Sequence, residues 1–191
     1  MSDPIEIKID DLAVMDALNR LSMAASNAAP AMREVAGVLA DDVEGAFERE
    51  VDPVSGVPWP ELRPSTIQAR QKKGKWPGKI LQVTGLLAAS VASDSGPFFA
   101  RVGSNRRYAA IHQLGGTIPI YARSQQVYFK QNARTGVVGN RFVKKSQSNF
   151  AQWATRGGHE IRIPARPYLG LSPEGGIRVV EILTRHLLGV V

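Results

Sequence analysis

The sequence has no cysteine in its 191 residues, which excludes disulfide bonds and thiolate metal sites. This composition fits a reducing cytosol, and stability has to come from packing or from assembly with other chains. The sequence also lacks any run of about 18 apolar residues. Its first residues, MSDPIEIKIDD, are acidic and alternating rather than a basic segment leading into an apolar one. We therefore expect neither a secretory signal peptide nor a membrane span.

Acidic residues are scarce beyond residue 61. Residues 1–61 hold 13 of the 17 acids and four of the 24 basic residues, so this third of the chain has a net charge of −9. Residues 62–191 hold the remainder and have a net charge of +16. Such asymmetry indicates either a nucleic-acid surface or a subunit whose two sides attract each other. The alternative is that both faces are simply solvated.

The motifs of common catalytic sites are missing. The three histidines are separated by 47 and 27 residues, and none has the spacing of a metal site. Neither G-x-S-x-G, the serine hydrolase motif, nor G-x-x-x-x-G-K-[ST], the nucleotide-binding P-loop, occurs. The four carboxylates after residue 62 leave little material for a nuclease metal cluster. We therefore expect no catalytic residue, metal or cofactor.

The segment YAAIHQLGGTI, residues 108–118, is the place where a catalytic histidine has to be considered. Tyr108, Ile111 and His112 share one face of a predicted short helix, and Gly115 and Gly116 supply the positive φ that ends it. No acid close in sequence accompanies His112, so a hydrogen-bonded structural histidine is favoured over a catalyst. A tight turn is likewise favoured over an anion cradle at the two glycines.

The spacing of apolar residues predicts several helices and strands in the first third of the chain. Residues 4–9 alternate isoleucine with charged residues, which predicts a half-buried strand. From Asp10 apolar residues recur every three positions, which predicts a helix that stops or kinks before Pro30. A second helix, over about residues 32–47, has an acidic outer face.

The remainder of the chain is mixed. Residues 51–79 are rich in proline and predict an ordered loop with a short helix from Thr66, whereas 80–91 fit a helix or a strand equally well. Residues 97–104, 117–130 and 159–172 have strand character, and 131–159 predict a mobile or partner-ordered loop. Ser172, Pro173 and Glu174 are typical of a helix start. The order of elements predicts an α+β fold, with a mixed, mainly antiparallel sheet packed against amphipathic helices.

Basic residues of 62–166 are interleaved with aromatic ones, a pattern compatible with phosphate contacts and base stacking. No recognition helix, zinc finger or RNA-recognition motif accompanies them, so any DNA contact would be to the backbone and independent of sequence. Docking of the same basic surface on an acidic protein explains the pattern equally well.

Four motifs occur in a fixed order: PVSGVPWPELRPSTIQAR, KILQVTGLLAASV, YAAIHQLGGTI and IPARPYLGLSPE. This succession resembles the phage virion morphogenesis family, the tail completion proteins of Mu-like and related tailed phages. The likeness runs from about residue 45 to the end, and the insert KKSQSNFA is similar to the Mu-like branch. The motif positions that carry over are Gly56, Trp59, Leu81, Thr84, Gly85, Leu86, Tyr108, His112, Gly115, Gly116, Pro164, Ala165, Arg166, Pro167 and Leu169.

The resemblance implies a non-enzymatic virion protein that acts late in assembly, at the head-proximal end of the tail or in the neck. It implies one domain over residues 1–191, in which 119–160 form a basic extended loop or hairpin insertion. It further implies a ring of identical subunits, a hexamer to match the tail tube, assembled in the host cytoplasm. The expected partners are neck, connector and tail-tube proteins, with possible non-specific contact to packaged DNA and none to a membrane.

Within this hypothesis we assign roles to three sets of residues. Aromatic and arginine side chains are the expected anchors of the subunit or partner interface: Trp59, Trp76, Trp153, Arg166 and Tyr168. Residues expected to shape the fold are Gly85, Tyr108, His112, Gly115, Gly116, Pro164 and Pro167. Residues expected to face DNA or the ring lumen are Arg106, Arg107, Lys130, Arg141, Lys144 and Lys145. The alternative function is a DNA-binding protein without sequence preference that uses the basic residues of 62–166.

Overall fold

The computed structural model describes residues 12–189. The predicted strand at 4–9 lies outside this range. The chain forms two compact units: residues 12–114 together with 164–189 form unit 1, and Gly115–Ile163 form unit 2. The fold is α+β, as the sequence predicts. No helix in residues 12–189 is long and apolar enough to cross a membrane.

Two long helices begin unit 1. Helix α1 spans Leu12–Ser26 and α2 spans Ala29–Arg49, with Pro30 in the first turn of α2. Proline lacks a backbone N–H and is therefore tolerated in a first turn, which explains why the chain breaks where the sequence predicts. Helix α2 ends at Glu50, which adopts the left-handed conformation at φ 58°.

The core of unit 1 forms around the second half of α2. Val43, Ala46 and Phe47 of this helix pack against buried residues from four later segments: Trp59, Leu87, Ala109 and Tyr168. A two-stranded antiparallel ribbon also packs on α2; it consists of β1, Val91–Gly96, and β2, Phe99–Ser104. The acidic side chains of α2 remain on its outer face, except for Asp42, which is buried.

Three further helices complete unit 1: α3, Pro64–Gln71; α4, Ala109–Leu114; and α5, Pro173–Leu188. The predicted start of α5 is confirmed, because the Ser172 hydroxyl accepts the N–H of Gly175 at 2.8 Å. Exposed ion pairs join α5 to α2 through Arg178 with Asp41, at 2.9 Å, and through Arg185 with Glu34.

Residues 80–91 form turns and a short 3₁₀ helix, Ala88–Ser90, before β1 begins at Val91. Both predicted alternatives, a helix and a strand, are therefore wrong for most of this segment. Gly85 has a φ of 69°, a left-handed conformation that neither a helix nor a strand accommodates. The turn directs Leu87 into the core and leaves Leu86 exposed.

Unit 2 consists of two antiparallel ribbons. Strand β3, Gly116–Ile120, pairs with β6, His159–Ile163, and β4, Arg123–Phe129, pairs with β5, Phe150–Arg156. The prediction of an irregular loop over 131–159 is thus wrong for residues 150–156, whose polar composition conceals a strand that pairs with β4. All strand pairings in residues 12–189 are antiparallel, and the six strands form three separate ribbons in place of one sheet.

Candidate functional site: the motif cluster and the exposed surface of unit 2

Three of the four sequence motifs meet in unit 1, in a group of residues that we call the motif cluster: 59–61, 108–113 and 164–172. The backbone N–H of Arg166 donates to the His112 carbonyl at 2.7 Å, which ties the last motif to α4. Gln113 strengthens the same connection. Its Oε1 accepts the N–H groups of Tyr168 and Leu169 at 3.0 and 2.9 Å, and its Nε2 donates to the Leu169 carbonyl at 2.8 Å.

The first and last motifs are joined by two buried side chains. The indole N–H of Trp59 donates to the Pro167 carbonyl at 2.6 Å. In the opposite direction, the Arg166 guanidinium donates to the carbonyls of Pro60 and Glu61 at 2.8 and 3.0 Å. Because these bonds satisfy buried polar groups, both segments are held in one arrangement. Burial, and secondarily the nearby Arg70, lowers the pKa of the Arg166 guanidinium.

Tyr168 lies at the centre of the cluster and is 0% exposed. Its ring packs on Phe47 with 5.1 Å between centroids, and Phe47 in turn makes an edge contact with Trp59 at 5.7 Å. The Tyr168 hydroxyl makes a long hydrogen bond of 3.5 Å to the Ala109 carbonyl. Burial, with a smaller contribution from Tyr108, raises the pKa of this phenol. These are the features of a packed core.

The side chain of His112 lines a small cleft of about 190 Å³ together with Arg70, Thr84, Leu87 and Tyr108. Its Nδ1 is buried and has no hydrogen-bond partner among residues 12–189, so the prediction of a hydrogen-bonded histidine is wrong for this nitrogen. The Tyr108 ring contacts the imidazole edge-on at 6.0 Å between centroids. Burial, and secondarily the Arg166 charge, lowers the pKa of His112. Among the residues that the structure describes, no carboxylate or hydroxyl group is hydrogen-bonded to this imidazole.

Two residues that sequence analysis missed complete the motif cluster. Asp42 is buried on α2, and its carboxylate accepts both the N–H and the hydroxyl of Ser172, at 2.7 and 2.9 Å. Gln113 is the other, through the three bonds described above. No local pattern signals either residue, because their partners lie 130 and about 55 positions away along the chain.

The predicted interface anchors differ in their accessibility. Trp59, Arg166 and Tyr168 are buried, with 4%, 6% and 0% exposure, so a partner cannot touch them in this conformation. Their place is in the core of unit 1, and we do not retain them as anchors. Trp76 is half-buried, and Trp153 is 71% exposed on β5. Trp153 is therefore the accessible aromatic anchor of the set.

The fold-shaping residues and the predicted DNA-facing residues are distributed over both units. Gly115 has a φ of 71° at the end of α4, whereas Gly116 is the first residue of β3. Arg106 and Arg107 are exposed just before α4 in unit 1. The other predicted DNA-facing residues are exposed in unit 2: Lys130, Arg141, Lys144 and Lys145.

Unit 2 has a basic and aromatic surface with almost no interior. None of its residues is fully buried, and its eight basic side chains are all exposed. Glu160 is its single acid, and none of the eight makes an ion pair within residues 12–189. Arg123 and Arg156 even lie directly opposite each other across the β4–β5 ribbon, a like-charge pairing that costs stability.

Large apolar side chains are also exposed on unit 2. Tyr121, Val137, Phe142 and Trp153 are each between 65% and 82% exposed. Isolated two-stranded ribbons are marginally stable in water, and exposed apolar groups commonly mark an interaction surface. The exposed surface of unit 2 is therefore rich both in cations and in large apolar side chains.

Comparison with known proteins agrees with the resemblance seen in the motifs. Residues 9–188 match the model of the phage virion morphogenesis family. The chain is 38% identical to "Putative capsid assembly protein G" of Escherichia phage Mu, over 98% of this chain and 96% of the relative. It is 28% and 31% identical to Mu-like prophage FluMu G proteins 1 and 2 of Haemophilus influenzae, over 96% and 93% of this chain and 94% and 91% of those relatives. No solved structure matches it.

The chain belongs to the phage virion morphogenesis family. Its role therefore lies in the assembly of a phage particle. The family is one of structural and morphogenesis proteins.

Proposed function

We propose that this protein is a structural subunit that completes the phage tail or neck. Copies form a ring, a hexamer that matches the tail tube, at the head-proximal end of the tail, and this ring is needed for head–tail joining. The partners are further copies of the chain and the adjoining neck, connector and tail-tube proteins. The name of the Mu relative, which refers to capsid assembly, is consistent with an action late in particle assembly.

One observation carries this proposal: unit 2 has eight exposed cations without ion pairs in residues 12–189 and several exposed aromatic side chains, but no buried residue. Exposed apolar and charged side chains of this kind would not stabilise a subunit that acted alone. In a ring the surface is covered, because apolar anchors supply affinity while complementary charges select the partner and speed encounter.

Exposed apolar side chains on unit 1 support the same conclusion. Val14, Leu18 and Leu21 lie on one face of α1, and Ile177 and Val180 lie on α5; all five are exposed. Surface patches of this kind are unusual on a protein that remains monomeric. They provide apolar area for neighbours within a ring or a neck.

The test is electron microscopy of particles made by a phage in which the gene for this chain is deleted. We expect filled heads and tails that accumulate without joining, or tails of abnormal length, and recovery when the intact chain is supplied in trans. Normal infectious particles in the absence of the chain would show that the proposal is incorrect. The mass of the pure protein gives the number of copies in the oligomer, and a hexamer is expected.

A second function, binding of DNA without sequence preference, is favoured by one feature of unit 2. Arg123 and Arg156 face each other on the ribbon that carries the exposed indole of Trp153, an arrangement suited to phosphate contact and base stacking. Such binding releases counterions and weakens steeply as salt increases. A ring held by apolar contacts instead persists, so a salt titration of DNA affinity and of oligomer mass separates the two functions.

A further inference from the structure

A groove of about 450 Å³ lies in unit 1 between the second half of α2 and the segment that leads into β1. Its floor is apolar, and its lining residues come from α2 and from the segment before β1: Ala40, Val43, Glu44, Phe47, Glu48, Gln82, Ala88, Ala89 and Val91. Two carboxylates, those of Glu44 and Glu48, stand at its rim one helical turn apart, about 6 Å. The groove therefore combines an apolar bed with two negative charges.

The rim carboxylates are unused within the part of the chain that the structure describes. Neither Glu44 nor Glu48 makes a side-chain hydrogen bond or an ion pair there, and both are exposed. Two other exposed acids of α2 have partners: Glu34 pairs with Arg185, and Asp41 pairs with Arg178. Glu44 and Glu48 are thus the acids of α2 that remain available to a cationic partner.

Unit 2 contains a segment with the complementary pattern, Arg141-Phe142-Val143-Lys144-Lys145. Phe142 is 74% exposed, and the three cations around it are exposed without ion pairs in residues 12–189. The segment is nevertheless ordered on its ribbon. The Val143 N–H donates to the Tyr128 carbonyl at 2.9 Å, and the Phe142 ring packs on Phe129 with 5.1 Å between centroids.

We propose that the segment 141–145 of one copy binds in the α2 groove of the next copy. Phe142 occupies the apolar floor beside Val43, while Lys144 and Arg141 pair with Glu48 and Glu44. An aromatic anchor in a pocket, with charges at the rim, is the arrangement that dominates protein interfaces. The inference rests on the proposed function, since it names the contact through which identical subunits join.

The two surfaces differ, so the contact is heterologous: every copy offers one groove and one segment. Such contacts produce a chain that closes into a ring when the rotation per subunit fits. The contact joins an acidic helix of the negatively charged part of the sequence to a basic segment of the positively charged part.

Cysteine pairing tests the contact directly, because the natural chain has no cysteine. One variant carries Glu48→Cys and another carries Lys144→Cys, both in the full chain. Oxidation of the mixed variants should give a cross-linked dimer that neither gives alone, and the double variant should give a ladder of multimers. Glu181→Cys, an exposed acid on α5, replaces Glu48→Cys in the control mixture and should give no link.

Charge reversal supplies an independent measurement. Glu44→Lys with Glu48→Lys should weaken self-association about tenfold or more, as should Lys144→Glu with Lys145→Glu, because like charges replace opposite ones. Mixing the two double variants should restore association. The matched control, Lys72→Glu with Lys73→Glu, reverses exposed cations of unit 1 and should leave association unchanged.

The possible outcomes separate this contact from the proposed function. Suppose that heads and tails fail to join without the chain, yet the Glu48→Cys and Lys144→Cys variants do not cross-link, either as purified protein or in particles. The docking is then incorrect and the assembly role stands. A link between two Glu48→Cys copies would also overturn the docking, since it indicates a symmetric contact. A ladder from the double variant together with normal particles lacking the chain would support the docking and overturn the assembly role.

Discussion

The carboxylate of Asp42 fixes the start of α5, since it accepts both the N–H and the hydroxyl of Ser172, at 2.7 and 2.9 Å. The same hydroxyl accepts the N–H of Gly175, so one buried acid on α2 positions the cap of a helix 130 residues later. The docking of α5 on α2 therefore depends on a hydrogen-bond chain at its first turn as well as on apolar packing.

Replacing Asp42 by alanine should lower the free energy of unfolding by about 2–4 kcal/mol, because two buried donors of Ser172 lose their acceptor. Urea unfolding followed by circular dichroism measures the change. Asp41→Ala is the control. Its exposed pair with Arg178 should contribute about 0–1 kcal/mol. Equal effects of the two substitutions would contradict this role for Asp42.

Two adjacent glycines of α5 should respond in opposite directions to alanine. A Cβ on Gly175 would overlap the Asp42 carboxylate, whereas a Cβ on Gly176 meets nothing within 4 Å. Gly175→Ala should therefore destabilise the protein. Gly176→Ala should stabilise it by about 0.5–1 kcal/mol through helix propensity. Thermal unfolding of both variants is the measurement, and stabilisation by Gly175→Ala would be inconsistent with the structure.

Substitution of Gln113 by alanine should cost about 2–3 kcal/mol, since it leaves the N–H groups of Tyr168 and Leu169 without their acceptor. Gln68→Ala, on the exposed face of α3, is the matched control and should change stability by about 0.5 kcal/mol or less. Unfolding in urea reports both values. A neutral Gln113→Ala would mean that α4 does not hold the last motif.

The half-buried imidazole of His112 should make folding stability depend on pH. Burial and Arg166 lower its pKa in the folded state below the ordinary value of 6.5, so the unfolded chain binds a proton more readily. Stability is then lost as pH falls below about 6.5 and stops changing below the folded pKa. His112→Gln should remove this component of the unfolding free energy between about pH 8 and 5, whereas His159→Gln, on exposed β6, should retain it. Parallel pH profiles for wild type and His112→Gln would contradict the assignment.

Alanine substitutions at two tryptophans should have different effects, one on folding stability and the other on particle assembly. Trp59→Ala removes a core side chain and should cost about 3–5 kcal/mol. Trp153→Ala alters a side chain that is 71% exposed, so unfolding should be nearly unchanged while recovery of joined particles decreases. Complementation of a phage lacking the chain measures the second effect. Full complementation by Trp153→Ala would show that Trp153 is not an interface anchor.

The sequence predicts the elements that local chemistry determines. Ser172 and Pro173 define the start of α5, Pro30 defines the start of α2, and Gly115 ends α4 with positive φ. Tertiary contacts determine the remainder. The turn at Gly85 decides between helix and strand for 80–91, and β5 becomes recognisable only when it pairs with β4.

In the candidate site, too, some features follow from local chemistry and others depend on tertiary contacts. Aromatic residues were predicted as anchors from their chemistry, but burial depends on the whole core, which places Trp59 and Tyr168 inside and Trp153 outside. Asp42 and Gln113 gave no signal, because their partners are distant in sequence. The excess of basic residues beyond residue 61 did indicate an exposed basic surface, since all eight basic residues of unit 2 are exposed.

The bond from the Arg166 N–H to the His112 carbonyl, 2.7 Å long, has a consequence for the evolution of the protein. It brings together the places where the chain leaves unit 1 and where it returns, so the 49 residues of unit 2 are an insertion between two segments that are already joined. We therefore expect unit 1 to tolerate a longer, shorter or exchanged insertion. Relatives that serve different phages should vary most in unit 2.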